Sequence, residues 1–212
     1  MRLVGRWLED ARAARQQPNP NAMVLATTGA DGAPCARVVL CKGLIEEPGY
    51  IVFYTNYESK KGEDLAASAR AAAVMHWDYL HRQVRITGPV TRSPAAESDA
   101  YFASRPWPSR IAAWASAQSR PIASRADLVA AVSAAAKRFG VPNPADPAPQ
   151  GADYEIARPA HWGGYRLWAE RVELWQEGKS RIHDRFSWSR KLVAGGPDGF
   201  TPGPWSVVRL QP

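Results

Sequence analysis

Apolar and polar positions follow two different rhythms along this chain. Trp7, Leu8, Ala11 and Ala14 recur at helical spacing with charges opposite, which predicts a helix over Gly5 to Gln16, ended by Pro18 and Pro20. From Ala22 the rhythm becomes that of strands. Ala22 to Thr28 reads as a buried strand, Gly29-Ala30-Asp31-Gly32 as a hairpin signal, and Pro34 to Lys42 as the returning strand. Gly49 to Asn56 is a third strand, rich in β-branched and aromatic residues. Ser59 opens a short helix with its hydroxyl as cap and Glu63 and Asp64 in the early turns. Strands follow over Ala71 to Trp77 and Arg82 to Thr91. The middle reads as three helices, Ser93 to Ser104, Ser109 to Ala117 and Ser124 to Phe139, each opened by serine and separated by proline. Pro142, Pro144, Pro147, Pro149 and Pro159 make residues 141–161 a surface loop. Strands return over Gly164 to Trp175, Arg181 to Trp188 and Trp205 to Leu210, with a Pro197-Asp198-Gly199 turn between the last two. Strands, then helices, then strands predict a mainly β fold: an antiparallel barrel or sheet with flanking α-helices.

Composition narrows the class. At 212 residues the chain suits one domain, expected to run over residues 1–212. Its 45% apolar and 22% charged residues exclude disordered and fibrous classes. No apolar run approaches the roughly 18 residues of a membrane span, and the N-terminal stretch lacks an apolar signal core. Cys35 and Cys41 fall on what reads as one strand, too far apart to bridge without a turn, so a reduced, cytoplasmic setting is expected. The formal net charge of +7 is spread singly, with no cationic run longer than Lys60-Lys61, which argues against nucleic acid and for small anionic ligands.

The cations point to particular chemistry. On an extended strand Arg181, His183 and Arg185 share one face, and three such groups are costly to bury unless an anion or an electron-rich ring sits before them. Arg37 and Lys42 end an apolar strand but differ in parity; either a bulge intervenes, or they serve different parts of a ligand, or both are solvated strand ends. Tyr54 and Thr55, followed by Ser59, Lys60 and Lys61 at a helix start, form a phosphate site or a simple cap with surface lysines. Tyr101 and Arg105 share a helix face that Pro106 and Pro108 stop, and Ser109 is expected to cap the next helix. Phenol, guanidinium and serine there suit a phosphate monoester; the plainer alternative is a kink between packed helices. Gln83 and Gln118 offer amides for a heterocycle's edge; the plainer alternative for Gln118-Ser119 is a pair of loop polar groups. There is no Gly-rich phosphate loop or dinucleotide fingerprint, and His76, His81, His161 and His183 lack metal-ligand spacing.

In order, Arg37-Val38-Val39-Leu40-Cys41-Lys42, Val52 to Asn56, Ser59 to Lys61, Arg82 to Val84, Tyr101 to Pro106, Ala113 to Ser119, Trp162 to Arg166, Glu173 to Gln176 and Arg181 to Phe186 resemble the pyridoxine (pyridoxamine) 5′-phosphate oxidase family. The resemblance runs from about Arg6 to the final residues. It implies an FMN-binding split β-barrel, a homodimer with FMN at its interface, and oxidation of pyridoxine or pyridoxamine 5′-phosphate to pyridoxal 5′-phosphate by dioxygen, giving hydrogen peroxide. By motif match it implies that FMN meets Arg37, Val38, Val39, Leu40, Cys41, Lys42, Tyr54, Thr55, Lys60, Lys61 and Gln83, with Gln118, Ser119, Trp175 and Arg185 from the other side. It likewise implies that Lys42, Tyr101, Arg105 and Ser109 meet the substrate phosphate, and that Arg181 and His183 act at its ring as catalytic residues. Two departures stand out. The family has a longer segment before the first helix, part of which can cover the active site. Lys60 also stands where arginine is common and lacks its bidentate fork. The alternative within the fold is an oxidase of phenazine biosynthesis; from another class, it is a non-catalytic flavin or nucleic-acid binding module.

Overall fold

The computed structural model describes residues 1–212 apart from 147–152 and 197–198. Pro147 and Pro149 of the expected loop, and Pro197 and Asp198 of the expected turn, lie outside the described residues. The chain forms two compact units: Met1–Phe53, Asp64–Arg92 and Tyr165–Pro212 make the first, and Tyr54–Glu63 and Ser93–Gly164 the second.

The first unit holds most of the sheet. Helix α1 (Arg2–Ala14) buries Val4, Leu8 and Ala11, one side of the helical repeat, and stops before its expected end because Arg15 turns left-handed at φ 50°. β1 (Ala22–Thr28) pairs antiparallel with β2 (Pro34–Leu40). Their turn is closed by the Gly29 N–H on Ala33 O at 3.1 Å and by Asp31 Oδ1, which accepts from the Ala33 N–H at 3.0 Å. A short strand absent from the sequence expectation, β3 (Gly43–Ile45), pairs with β4 (Tyr50–Asn56). The remaining strands are β5 (Arg70–Trp77), β6 (Arg82–Arg92), β7 (Trp162–Trp168), β8 (Arg171–Gln176), β9 (Asp184–Ser189), β10 (Leu192–Ala194), β11 (Phe200–Pro202) and β12 (Ser206–Leu210). The main path runs β12-β9-β8-β6-β5-β1-β2, while β7 pairs with both β6 and β4. Met23, Leu25, Ile51, Phe53, Met75, Trp77, Val84, Ile86 and Leu167 fill the core.

One long strand serves two neighbours. Arg82 to Thr87 of β6 pair with β8, and Val90 to Arg92 pair with β7. The single strand expected over Gly164 to Trp175 is therefore two, turned at Ala169 and Glu170, whose N–H reaches Trp168 O at 3.0 Å and Thr87 O at 3.1 Å. Gly88 sits where β6 changes partner; a Cβ there would stand 2.0 Å from Trp168 O. Gly88→Ala is expected to destabilise the protein by about 1–3 kcal/mol through overpacking against backbone. Urea unfolding would show this as a lower midpoint at unchanged slope; an unchanged midpoint would mean that the crossover yields.

Two further expectations are corrected in this unit. The strand expected over Arg181 to Trp188 begins only at Asp184, because Lys179–Arg181 form a 3-10 turn. Where one turn was expected before the last strand, β10 and β11 form an additional hairpin.

The second unit is helical. It contains α3 (Ala95–Ala103), α4 (Trp107–Ala115) and α5 (Arg125–Arg138), and it holds the first turn of α2 (Lys60–Ala67). Phe102, Trp107, Ile111, Ala136, Val141, Ile156 and Trp162 form its core. Of the three serines expected to open helices here, only Ser124 does so, its hydroxyl accepting the Asp127 N–H at 3.1 Å. Pro94 and Pro106 occupy the other two N-cap positions, without side-chain caps. Ser109 is thus the third residue of α4 and not its cap. Pro108 fits beside it because an N–H in the first helical turn has no partner to lose. No helix among the described residues is long and apolar enough to cross a membrane.

Candidate functional site

In the first unit, β2 carries Arg37 directly across from Leu25. The guanidinium turns towards the protein: Nη1 donates to Leu25 O at 3.2 Å and to Thr27 Oγ1 at 2.6 Å, and Nη2 lies 3.6 Å from Asp64 Oδ2. Val38, Val39 and Leu40 finish the strand, with Val38 65% exposed opposite Val24. Cys41 and Lys42 lie just beyond it, which answers the parity question: the ladder ends before Lys42. The Lys42 N–H donates to Val52 O at 2.8 Å and its side chain is exposed. Burial pushes the Cys41 thiol up to about 11, so it stays protonated near neutral pH; it and Cys35 are both free.

Three predicted residues from three strands stand in one row. Gln83 of β6 faces Trp175 of β8, which faces Arg185 of β9. Arg185 is held by Glu173, a buried carboxylate that accepts from its Nε at 3.1 Å and its Nη2 at 2.8 Å, and from Arg85 Nη1 at 3.1 Å. Glu173 was quoted in the sequence only as part of a motif. Its signal was an acid set between Val172 and Leu174 in an otherwise apolar strand segment.

Arg181 and His183 come from the turn that precedes β9, so they do not alternate with Arg185 along one strand. Gly178 permits this turn, since a Cβ there would stand 1.8 Å from Ile182 O. Ser180 and Arg181 both adopt left-handed backbone, at φ 56° and 63°. Such conformations cost about 1–2 kcal/mol each in a non-glycine residue and collect at functional sites. His183 is better held. Its Nδ1 accepts the Gly178 N–H at 3.1 Å, so the neutral ring carries its proton on Nε2, and it packs on Trp175 with centroids 4.7 Å apart.

In the second unit, Lys61 at the start of α2 is buried, and its Nζ donates to Ser59 Oγ at 3.0 Å and Gln118 Oε1 at 2.8 Å. Thr55 Oγ1 donates to the same amide oxygen at 3.1 Å. Within one chain, then, Gln118 sits beside Lys61 and Thr55, although the resemblance has it approach FMN from the opposite side. Ser119 follows in a left-handed conformation at φ 71°, exposed, as is Lys60.

Tyr54, Tyr101 and Trp162 stack in a ladder: Tyr54 lies 3.8 Å from Tyr101 and 5.6 Å from Trp162, with the rings nearly parallel. Arg105, in the turn between α3 and α4, places its Cζ 4.8 Å from the Trp162 centroid. Burial lowers the pKa of this guanidinium; Tyr101 opposes that effect, and Arg110 adds to it. Its Nη1 is buried and has no hydrogen-bond partner among the described residues. A cleft of ≈ 240 Å³ is lined by Arg105, Ser109, Asn56, Ser116, Gln118 and Trp162, among others. Asn56 and Trp162 were quoted in the sequence only as ends of motifs and given no role, because an amide at a strand end and a tryptophan before two glycines do not by themselves signal a site.

A buried guanidinium nitrogen without a partner among the described residues is costly, and with Ser109 lining the same cleft the donors there are of the kind that suit an oxyanion. Residues 9–138 match the family model described as pyridoxamine 5′-phosphate oxidase, and residues 162–212 match that of the pyridoxine 5′-phosphate oxidase C-terminal dimerisation region. A pyridoxine/pyridoxamine 5′-phosphate oxidase of Burkholderia orbicola is 49% identical over 207 residues, 98% of this chain and 86% of the relative. One from Cupriavidus pinatubonensis is 47% identical with the same coverage. Among solved structures, PhzG from Burkholderia lata in complex with tetrahydrophenazine-1-carboxylic acid superposes with a TM-score of 0.81 at 28% identity, over 99% of this chain and 91% of the other. A pyridoxamine 5′-phosphate oxidase-related, FMN binding protein of Nostoc punctiforme reaches 0.68 at 16% identity, over 99% and 96%, and speaks for the fold alone. The fold is the FMN-binding split barrel with flanking helices, and the chain belongs to the pyridoxamine 5′-phosphate oxidase family of oxidoreductases.

Proposed function

We propose that the protein is an FMN-dependent oxidase of pyridoxine 5′-phosphate and pyridoxamine 5′-phosphate. Pyridoxal 5′-phosphate and hydrogen peroxide are the products; the amine substrate also takes up water and releases ammonia. The observation that carries this reading is the Nη1 of Arg105, buried with no partner among the described residues, in a cleft shared with Ser109. A phosphate monoester supplies the acceptors that this donor lacks. The relatives at 47–49% identity, named for the phosphorylated vitamers, point the same way.

The donor set fits the cofactor as well. Arg37, Lys42, Lys60 and Lys61 supply positive charge for a phosphate, while Gln83 and Gln118 supply amides that both donate and accept, as a flavin ring edge requires. Trp175 and Arg185 stand in the same row as Gln83, and Tyr54, Thr55 and Ser119 complete the set carried over from the family. The two-electron chemistry, hydride removal from the substrate's C4′ carbon and reduction of dioxygen, belongs to FMN when it is bound. The chain's own residues position and balance charge. Arg105, Ser109 and Tyr101 anchor the substrate phosphate. His183 offers its Nε2–H to a ring substituent, held in that tautomer by the Gly178 N–H. Arg181 orients the ring and pairs with negative charge on its oxygen substituent. The dimerisation-region match supports a homodimer as the working form.

A second reading, a phenazine-type oxidase, is favoured by the likeness to PhzG, whose bound ligand is a carboxylic acid. One set of assays separates the two. Purified protein should be yellow with a flavin absorbance band, and should release peroxide faster on pyridoxine 5′-phosphate than on pyridoxine. Equal rates on these two would remove the dedicated phosphate site, and preference for a dihydro- or tetrahydrophenazine carboxylate would establish the alternative.

A further inference from the structure

We propose that Asp64, acting through Thr27, is the positioning residue that aims Arg37 at the phosphate of FMN; the inference rests on the flavin reading above. Thr27 and Asp64 are almost fully buried, at 2% and 1% exposure. A carboxylate so placed is costly unless it is paired and hydrogen-bonded. Here Thr27 Oγ1 donates to Asp64 Oδ2 at 2.6 Å and accepts from Arg37 Nη1 at 2.6 Å. A hydroxyl has one proton, and an ionised carboxylate only accepts. Committing that proton to Asp64 therefore leaves the Thr27 lone pairs for Arg37, so the direction of the relay is set by its buried end. Leu25 O takes the same Nη1 at 3.2 Å, and Asp64 lies 3.6 Å from Nη2. Backbone, hydroxyl and carboxylate thus hold the Nη1–Nη2 edge of the guanidinium, while Nε has no hydrogen-bond partner among the described residues.

The part of the cofactor that such a fork selects is its phosphate. Oxidised isoalloxazine carries no charge, whereas a phosphate monoester is a dianion with several acceptors. Arg37 keeps 19% side-chain exposure, while Asp64 keeps 1%, so a ligand meets the guanidinium and not the carboxylate. Loss of Asp64 releases the guanidinium from its fixed direction. The accompanying loss of negative charge is screened from the ligand by the guanidinium in between, so the positional loss dominates.

The test is a titration of flavin-stripped protein with FMN and, separately, with riboflavin, followed by flavin fluorescence, for wild type, Asp64→Ala, Thr27→Val and each in an Arg37→Ala background. Thr27→Val is close in size and leaves every charge in place, so it covers the case in which Asp64→Ala folds poorly. Each single variant is expected to weaken FMN on the order of tenfold, the worth of about one charge-assisted hydrogen bond. Riboflavin affinity should stay within about twofold, and neither change should add to the loss already caused by Arg37→Ala. Unchanged FMN affinity, equal weakening of both flavins, or a loss that persists without Arg37 would each overturn the assignment. Wild-type protein that fails to bind FMN would sink the flavin reading itself, a separately visible outcome.

Discussion

Arg105→Ala is expected to raise the KM for pyridoxine 5′-phosphate on the order of 10²-fold, the usual result of truncating one partner of a buried charged hydrogen-bonded pair. Activity on unphosphorylated pyridoxine should barely change, so the preference for the phosphate ester collapses. The effect on stability should run the other way. Arg105 Nη1 is buried without a partner among the described residues, and burial already lowers the pKa of this guanidinium. Removing it relieves that desolvation cost, offset by the lost stacking on Trp162, worth ~0.5–2 kcal/mol. The melting temperature of substrate-free protein should therefore hold or rise while substrate affinity falls. A variant that loses stability and keeps its KM would show that Arg105 is a packing residue between α3 and α4. Arg105→Lys should recover only part of the affinity, because an ammonium lacks the planar fork.

The second large effect separates two cations. Arg181→Ala should lower kcat on the order of 10²–10³-fold, the range for removal of one group that stabilises charge in the transition state, while flavin content and the visible spectrum stay as in wild type. Lys61→Ala should do the reverse, yielding protein that purifies with little flavin and regains turnover only when FMN is in large excess. The structural difference behind this is plain. Arg181 is exposed on a strained turn, at φ 63°, and its side chain makes no hydrogen bond or ion pair among the described residues. Lys61 is buried and bonded to Ser59 and Gln118, so its loss disturbs the cluster that also holds Thr55. Flavin stripped by Arg181→Ala, or retained by Lys61→Ala, would reverse the two roles.

Much of this molecule was legible as one-dimensional pattern. The hairpin at Gly29 to Gly32, the strand over Ala22 to Thr28 and the helix opened by Ser124 follow from rules that operate within a few residues: alternation, turn chemistry and capping. Local rules failed where a partner distant in the chain decided. Nothing near Gly164 to Trp175 marks a break, because Ala169 and Glu170 turn to meet Thr87 of β6. Arg181 to Arg185 has the alternation of a strand, yet the His183 ring bonds back to the Gly178 N–H and the segment turns instead. Ser109 has the chemistry of a cap, but Pro106 already occupies that position.

The same division runs through the site. Residue type and order were enough to name the family and to mark Arg37, Lys61, Arg105 and His183, because cations, hydroxyls and amides declare their chemistry one at a time. What each of them is aimed at was not written there. Thr27 and Asp64 lie 37 residues apart, and Arg85 and Glu173 lie 88 apart. Directional bonds between such residues exist only once the strands have paired, so folding chose which donors are satisfied within the protein and which, like Nη1 of Arg105, find no partner among the described residues.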